Sequence, residues 1–176
     1  NEFEAVALTA NRNWQLLARQ AIDFGVDRVV IADERYYNDL RGALEGYPVK
    51  VYAGDEAICQ VLEGDSVDIV VNALVGYAGM FPSVSAVKAG KRLALANKES
   101  LVVAGNVITG LAEENGSGII PIDSEHSAIL QSMVGEISPI RRVILTASGG
   151  PFLRTPVEML PSVTPAQALK HPNWDM

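Results

Sequence analysis

Short apolar runs alternate with amphipathic stretches along the first two thirds of the chain, and few folds tolerate that rhythm. Glu4 to Ala10, Arg28 to Asp33, Val49 to Ala53, Val67 to Leu74, Leu93 to Ala96 and Gly118 to Ile122 each read as strands. Between them, Asn13 to Phe24, Tyr36 to Leu44, Asp55 to Leu62, Phe81 to Ala89 and Glu99 to Asn115 carry helical patterns. Apolar runs too short for helices, spaced by amphipathic segments, predict βαβ units and a parallel sheet with right-handed crossovers. The expected fold class is α/β.

From Asp123 the pattern shifts. Ser124 to Met133 reads as a helix with Asp123 or Ser124 as its N-cap, and Arg141 to Thr146 reads as a strand opening into Ala147-Ser148-Gly149-Gly150. Pro156, Pro161, Pro165 and Pro172 punctuate the remainder, with Thr164-Pro165-Ala166-Gln167 forming a capped helix start. The expected organisation is a first domain over 1–122 and the incomplete start of a second over 123–176.

Charge and cysteine content narrow the classes. The net charge of −7, with no run of lysine and arginine, argues against nucleic acid and anionic membranes as partners. No apolar stretch reaches membrane-spanning length. The single cysteine, Cys59, excludes an internal disulfide and a zinc–thiolate cluster, and its apolar helical setting reads as a small buried hydrophobe.

Polar clusters recur where predicted strands end: Thr9 to Asn13, Asn72 to Gly76, Asn97 to Ser100, Asp123 to His126, and Ser148 to Gly150. One such cluster is ordinary turn chemistry, but five on one sheet edge suggest a ligand crevice. Asn11-Arg12-Asn13 reads equally as a capping turn with a solvated arginine or as a contact for the 2′-phosphate of NADP. Lys98, between Asn97 and Glu99, suits a phosphate or a substrate hydroxyl, and also suits a plain helix start with Glu99 favouring the dipole. Asp123 and Glu125, one residue apart, repel unless a proton, solvent or a hard cation such as Mg²⁺ or Mn²⁺ relieves them; the alternative is an acidic capped first turn. Two carboxylates make an incomplete metal site, so a third acid or the substrate has to complete it. His126 reads as a supporting or structural group rather than a ligand. Ser148-Gly149-Gly150 offers an anion nest or a simple glycine turn, and His171-Pro172-Asn173-Trp174 a lid or an anchored loop.

Taken as an ordered set, LTANRN, ALVGYAG, LANKESLV, PIDSEHSAI, LTASGGPF and HPNW resemble the 1-deoxy-D-xylulose 5-phosphate reductoisomerases, enzymes that use NADPH and a divalent metal in isoprenoid biosynthesis. The resemblance spans nearly the whole chain. It implies a Rossmann-like, doubly wound, mainly parallel NADPH-binding domain followed by the start of an α/β catalytic domain. It also implies that Asp123 and Glu125 ligate Mg²⁺ or Mn²⁺ and that Lys98, Ser124, Ser148 and His171 meet a sugar-phosphate substrate. Lys98 and His171 join the two acids as catalytic candidates, and Trp174 belongs to a lid over the substrate. Asn11, Arg12, Asn13, Asn97 and Glu99 face NADPH. A homodimer, in bacterial cytoplasm or plastid stroma, follows from the same resemblance.

Two departures set limits. The family's Gly-x-Thr-Gly-x-x-Gly loop after its first strand does not precede Asn1, and its third metal carboxylate and an Asn-Lys phosphate pair lie beyond HPNW. The expectation is a fragment that binds metal and cofactor weakly and turns over poorly or not at all. The alternatives are another NADP-dependent Rossmann oxidoreductase without metal, and a non-catalytic nucleotide-binding module.

Overall fold

The structure, a computed structural model, describes residues 2–146 and 149–170. It divides into two compact units, Asn1–Asp123 and Ser124–Met176.

In the first unit, six short strands alternate with five helices. β1 (Ala7–Ala10) leads into α1 (Trp14–Phe24), β2 (Arg28–Ile31) into α2 (Tyr37–Ala43), and β3 (Lys50–Ala53) into α3 (Asp55–Leu62). β4 (Ile69–Asn72), α4 (Met80–Lys88), β5 (Arg92–Leu95), α5 (Glu99–Glu114) and β6 (Ile119–Pro121) complete it. All strand pairs are parallel.

Strand β2 shows why the apolar runs are continuous. Val29 and Ile31 pack with Leu17, Ala21 and Leu40 of α1 and α2. Val30, between them, packs on the opposite face with Ile58 and Val61 of α3. Successive side chains in a strand point to opposite faces, so a strand covered by helices on both sides cannot alternate with polar residues. In the other half, Val70, Leu93 and Leu95 pack with Ala86 and Val87 of α4 and Ile108 and Ala112 of α5.

The rhythm alone predicts one sheet, whereas the strand ladder runs in two pieces, β1-β2-β3 and β4-β5-β6. Strand order grows outward from β1 in one piece and from β4 in the other. In doubly wound sheets, strand order diverges in this way at the switch point. β1 and β4 share no pairing among the described residues, and Val71 of β4 is 65% exposed. Cys59 on α3 is half-buried rather than a core residue.

The second unit holds α6 (Ser124–Met133), a 3₁₀ segment at Val157–Ser162 and α7 (Pro165–Ala168). At α7, Thr164 and Gln167 exchange a reciprocal capping box with Pro165 in the first turn. The strand expected over 141–146 does not form: these residues are exposed and irregular. A β-ladder needs a neighbour to satisfy its backbone groups, and the described residues of this unit provide no other strand. An open groove of about 830 Å³ lies between α6 and 138–146, with Glu125, Arg141 and Arg142 among its walls.

Candidate functional site

Because every strand in the first unit runs parallel, the carboxyl ends of the strands within each sheet lie on one edge. At the end of β1, Asn13 accepts a hydrogen bond from the Leu16 N–H at 3.1 Å and so caps α1. Arg12 reaches across to the end of β2, where its Nε lies 3.2 Å from Asp33 Oδ2. Asp33 accepts again from Arg35, through Nε at 2.8 Å and Nη2 at 2.6 Å. Bonding to the Arg35 guanidinium, helped by its backbone N–H and by the charge of Arg12, lowers the Asp33 pKa from 3.8 to about 2. The same pairing raises Arg35. Two guanidiniums therefore converge on one carboxylate, and both arginine side chains stay well exposed, 66% for Arg12 and 74% for Arg35. Neither Asp33 nor Arg35 stood out in the sequence. The available signal was an acid directly at a parallel strand end, followed two residues later by an arginine.

At the ends of β4 and β5 the polar groups turn inward. Asn97 is 1% exposed, and its amide nitrogen donates to the carbonyls of Leu74 (2.5 Å) and Gly76 (2.9 Å) and to Glu99 Oε2 (3.2 Å). Its amide oxygen accepts from the Ser100 N–H at 3.1 Å and from the Ser100 hydroxyl. Asn72, also buried, donates to the Gly79 carbonyl and to Ser83 Oγ, both at 2.8 Å, and accepts from the Leu74 N–H at 3.2 Å. Ser83 Oγ lies 3.4 Å from Ser100 Oγ and closes the network. Among the described residues, no buried side-chain nitrogen or oxygen lacks a partner.

Two glycines make this possible for different reasons. Gly76 has φ +68, a backbone region that other residues avoid. Gly79 makes room: a Cβ there would lie 2.4 Å from Asn97 Cγ.

Beside the network, Lys98 is exposed at the start of α5 and Glu99 is half-buried in its first turn. β6 ends immediately before Ile122-Asp123, with the Ile122 N–H donating to the Leu95 carbonyl at 3.0 Å. This bond ties the end of β6 to the end of β5 and places Asp123 next along the chain. Asp123 is half-buried. In the second unit, Glu125 is half-buried in the first turn of α6, while Ser124 and His126 are exposed. Ser148, His171 and Trp174 lie outside the described residues. No group of three or more His, Cys, Asp or Glu suited to a metal ion occurs among the described residues.

Comparison with known proteins gives this edge its context. The sequence profile of 1-deoxy-D-xylulose 5-phosphate reductoisomerase matches residues 1–105, and the profile of that enzyme's C-terminal domain matches 119–176. The chain belongs to the 1-deoxy-D-xylulose 5-phosphate reductoisomerase family. It is 54% identical to the reductoisomerase of Bacteroides thetaiotaomicron over 175 residues, covering 99% of this chain and 45% of that relative. The Phocaeicola vulgatus enzyme is 53% identical with the same coverage. The chain thus spans a little under half the length of these relatives.

Solved structures agree on the fold. A Zymomonas mobilis 1-deoxy-D-xylulose 5-phosphate reductoisomerase in complex with NADPH matches with a TM-score of 0.85 at 41% identity, over 97% of this chain and 45% of that one. A reductoisomerase in complex with NADPH, fosmidomycin and magnesium matches at 0.81 and 35% identity, with the same coverage. The α/β architecture with parallel sheets is that of the family.

Proposed function

We propose that the protein carrying this chain rearranges and reduces 1-deoxy-D-xylulose 5-phosphate to 2-C-methyl-D-erythritol 4-phosphate, using NADPH and a divalent cation. The supporting observation is that family profiles match both sides of Asp123, over residues 1–105 and 119–176, with Lys98, Asp123 and Glu125 inside them. The relatives crystallised with NADPH and with magnesium point to the same chemistry. Nothing observed favours the metal-free oxidoreductase or the non-catalytic module.

The residues present fit both groups. Asp123 and Glu125 are oxygen donors of the kind a hard cation prefers, and they would hold Mg²⁺ or Mn²⁺. Such a cation supplies Lewis-acid stabilisation of negative charge developing on substrate oxygens. Lys98, an exposed residue at the start of α5, would meet the substrate, with Ser124, Ser148 and His171 as its further polar contacts and Trp174 as the lid residue that the family resemblance implies. Arg12, with Arg35 held on the same carboxylate, offers two guanidiniums to the 2′-phosphate that distinguishes NADPH from NADH. NADPH supplies the hydride. Asn11 and Asn13 after β1 and Glu99 after β5 are the remaining candidates for NADPH, while Asn97 is buried among protein partners. A homodimer and a bacterial cytoplasmic setting belong to this proposal; among the described residues no helix is long and apolar enough to cross a membrane.

The test follows NADPH absorbance with 1-deoxy-D-xylulose 5-phosphate in the protein at the length of its relatives, with and without Mn²⁺. The expected result is oxidation that requires the metal. Metal-independent oxidation, or none in a folded protein, overturns the proposal.

A further inference from the structure

We infer that Asn72, Ser83, Ser100 and Asn97 form a buried clasp that fixes residues 73–79 against the start of α5, and that this clasp positions Lys98 and Glu99 for the reaction. The inference rests on the proposed function for what the positioned residues do, but the clasp stands on geometry alone.

The clasp joins three pieces of chain that share no regular structure. Asn72 ends β4, Ser83 sits in α4, and Asn97 and Ser100 flank Lys98 and Glu99 at the start of α5. All four side chains are essentially removed from solvent, between 0% and 3% exposed. A single amide, Asn97, holds two carbonyls of the 73–79 segment and one oxygen of Glu99. Any shift of the segment therefore breaks bonds at the base of Lys98 and Glu99. Side chains so buried are not available to a ligand in this arrangement, so Asn97 serves as a positioning residue rather than as a direct cofactor contact.

The local backbone makes few regular hydrogen bonds of its own, and an edge-on contact of the Tyr77 and Phe81 rings at 6.0 Å adds to the clasp. Segment 73–79 contains no strand, and its 3₁₀ turn at Gly76–Gly79 has no side-chain cap. Its hydrogen bonds to β5 and α5 run through Asn97, and its bond to the end of β4 runs through Asn72. Removing one partner of a buried hydrogen bond leaves the other unsatisfied, which costs more than the bond's net worth.

The experiment compares wild type with Ser83→Ala and Asn72→Ala in the protein at the length of its relatives. It reads amide hydrogen exchange across residues 73–79, with β2 as internal reference, alongside kcat and the KM for NADPH. Ser83→Ala is the gentler change and keeps the test alive if Asn72→Ala fails to fold. The expected result is exchange in 73–79 faster by roughly tenfold, unchanged exchange in β2, and kcat/KM lower by roughly tenfold. Wild-type exchange in 73–79 in both variants overturns the clasp. Faster exchange with wild-type kinetics overturns the positioning role and leaves a merely structural network. A wild-type protein without turnover overturns the proposed function instead, while the exchange comparison still decides the clasp.

Discussion

Asp33 shows how much one carboxylate can organise. It receives the Arg35 guanidinium through both oxygens and the Arg12 guanidinium through one. Its pKa is held at about 2, below the ordinary 3.8. A depressed carboxylate contributes stability that is fully present above its unfolded value and fades as pH falls through its folded value. The Arg12–Asp33–Arg35 clamp should therefore stay intact down to about pH 3.8 and release as pH approaches 2. Following the Asp33 side-chain carbon by NMR during acid titration checks this; a midpoint at 3.8 would show that the guanidiniums do not hold it. At neutral pH, Arg35→Ala should raise the KM for NADPH by roughly tenfold while leaving NADH little changed. An unaltered preference between the two cofactors would remove Arg35 from the phosphate site. Gly79→Ala tests packing instead. Its Cβ would overlap the Asn97 amide at 2.4 Å, and overpacking of this kind costs about 1–3 kcal/mol, measurable by urea unfolding.

At the scale of elements, strand and helix identities follow from periodicity, and their ends follow from capping chemistry. α1 starts where Asn13 caps it and stops where Gly25 takes φ +64, and both signals are visible in the residues themselves. Strand ends were harder to place. Val67 to Leu74 reads as one run, but pairing with β5 covers only Ile69–Asn72, because Asn72 turns its side chain to Gly79 and Ser83 and ends the ladder. Arg141 to Thr146 misled for another reason. Its composition favours a strand, but β-propensity records fit to a neighbouring surface, and no described strand lies beside it. The site divides in the same way. Lys98, Asp123 and Glu125 follow strand ends, where sheet topology puts chemistry, and Asp33 meets Arg35 only two residues along the chain, whereas Ser83 and Asn72 meet only through tertiary contact. The helices also make the energetic scale explicit. Ile108 on α5 is fully buried, and Ile108→Ala should cost about 2–5 kcal/mol. Val102 on the same helix is 84% exposed, and Val102→Ser should change stability by about 0.5 kcal/mol or less. Equal losses at the two positions in chemical denaturation would contradict the face assigned to α5.

For the molecule as a whole, the proposed function turns on how many oxygen donors the chain would bring to a cation. Asp123 ends the first unit and Ser124 opens the second, with Glu125 next along the chain. A hard divalent cation takes about six oxygen ligands, and two carboxylates supply only part of that shell. Water has to fill the rest, and each water retained is a protein contact not made. The 176-residue chain alone should therefore bind Mn²⁺ weakly, with dissociation on the order of millimolar. The protein at the length of its relatives should bind more tightly, because further carboxylates and a bound substrate can replace water. Electron paramagnetic resonance of free Mn²⁺ during titration reads this directly. Asp123→Asn and Glu125→Gln, each of which removes one negative charge with little change in shape, should each weaken binding by roughly tenfold in the longer protein. Tight, stoichiometric Mn²⁺ binding by the 176-residue chain that both substitutions leave unchanged would place the metal away from Asp123 and Glu125.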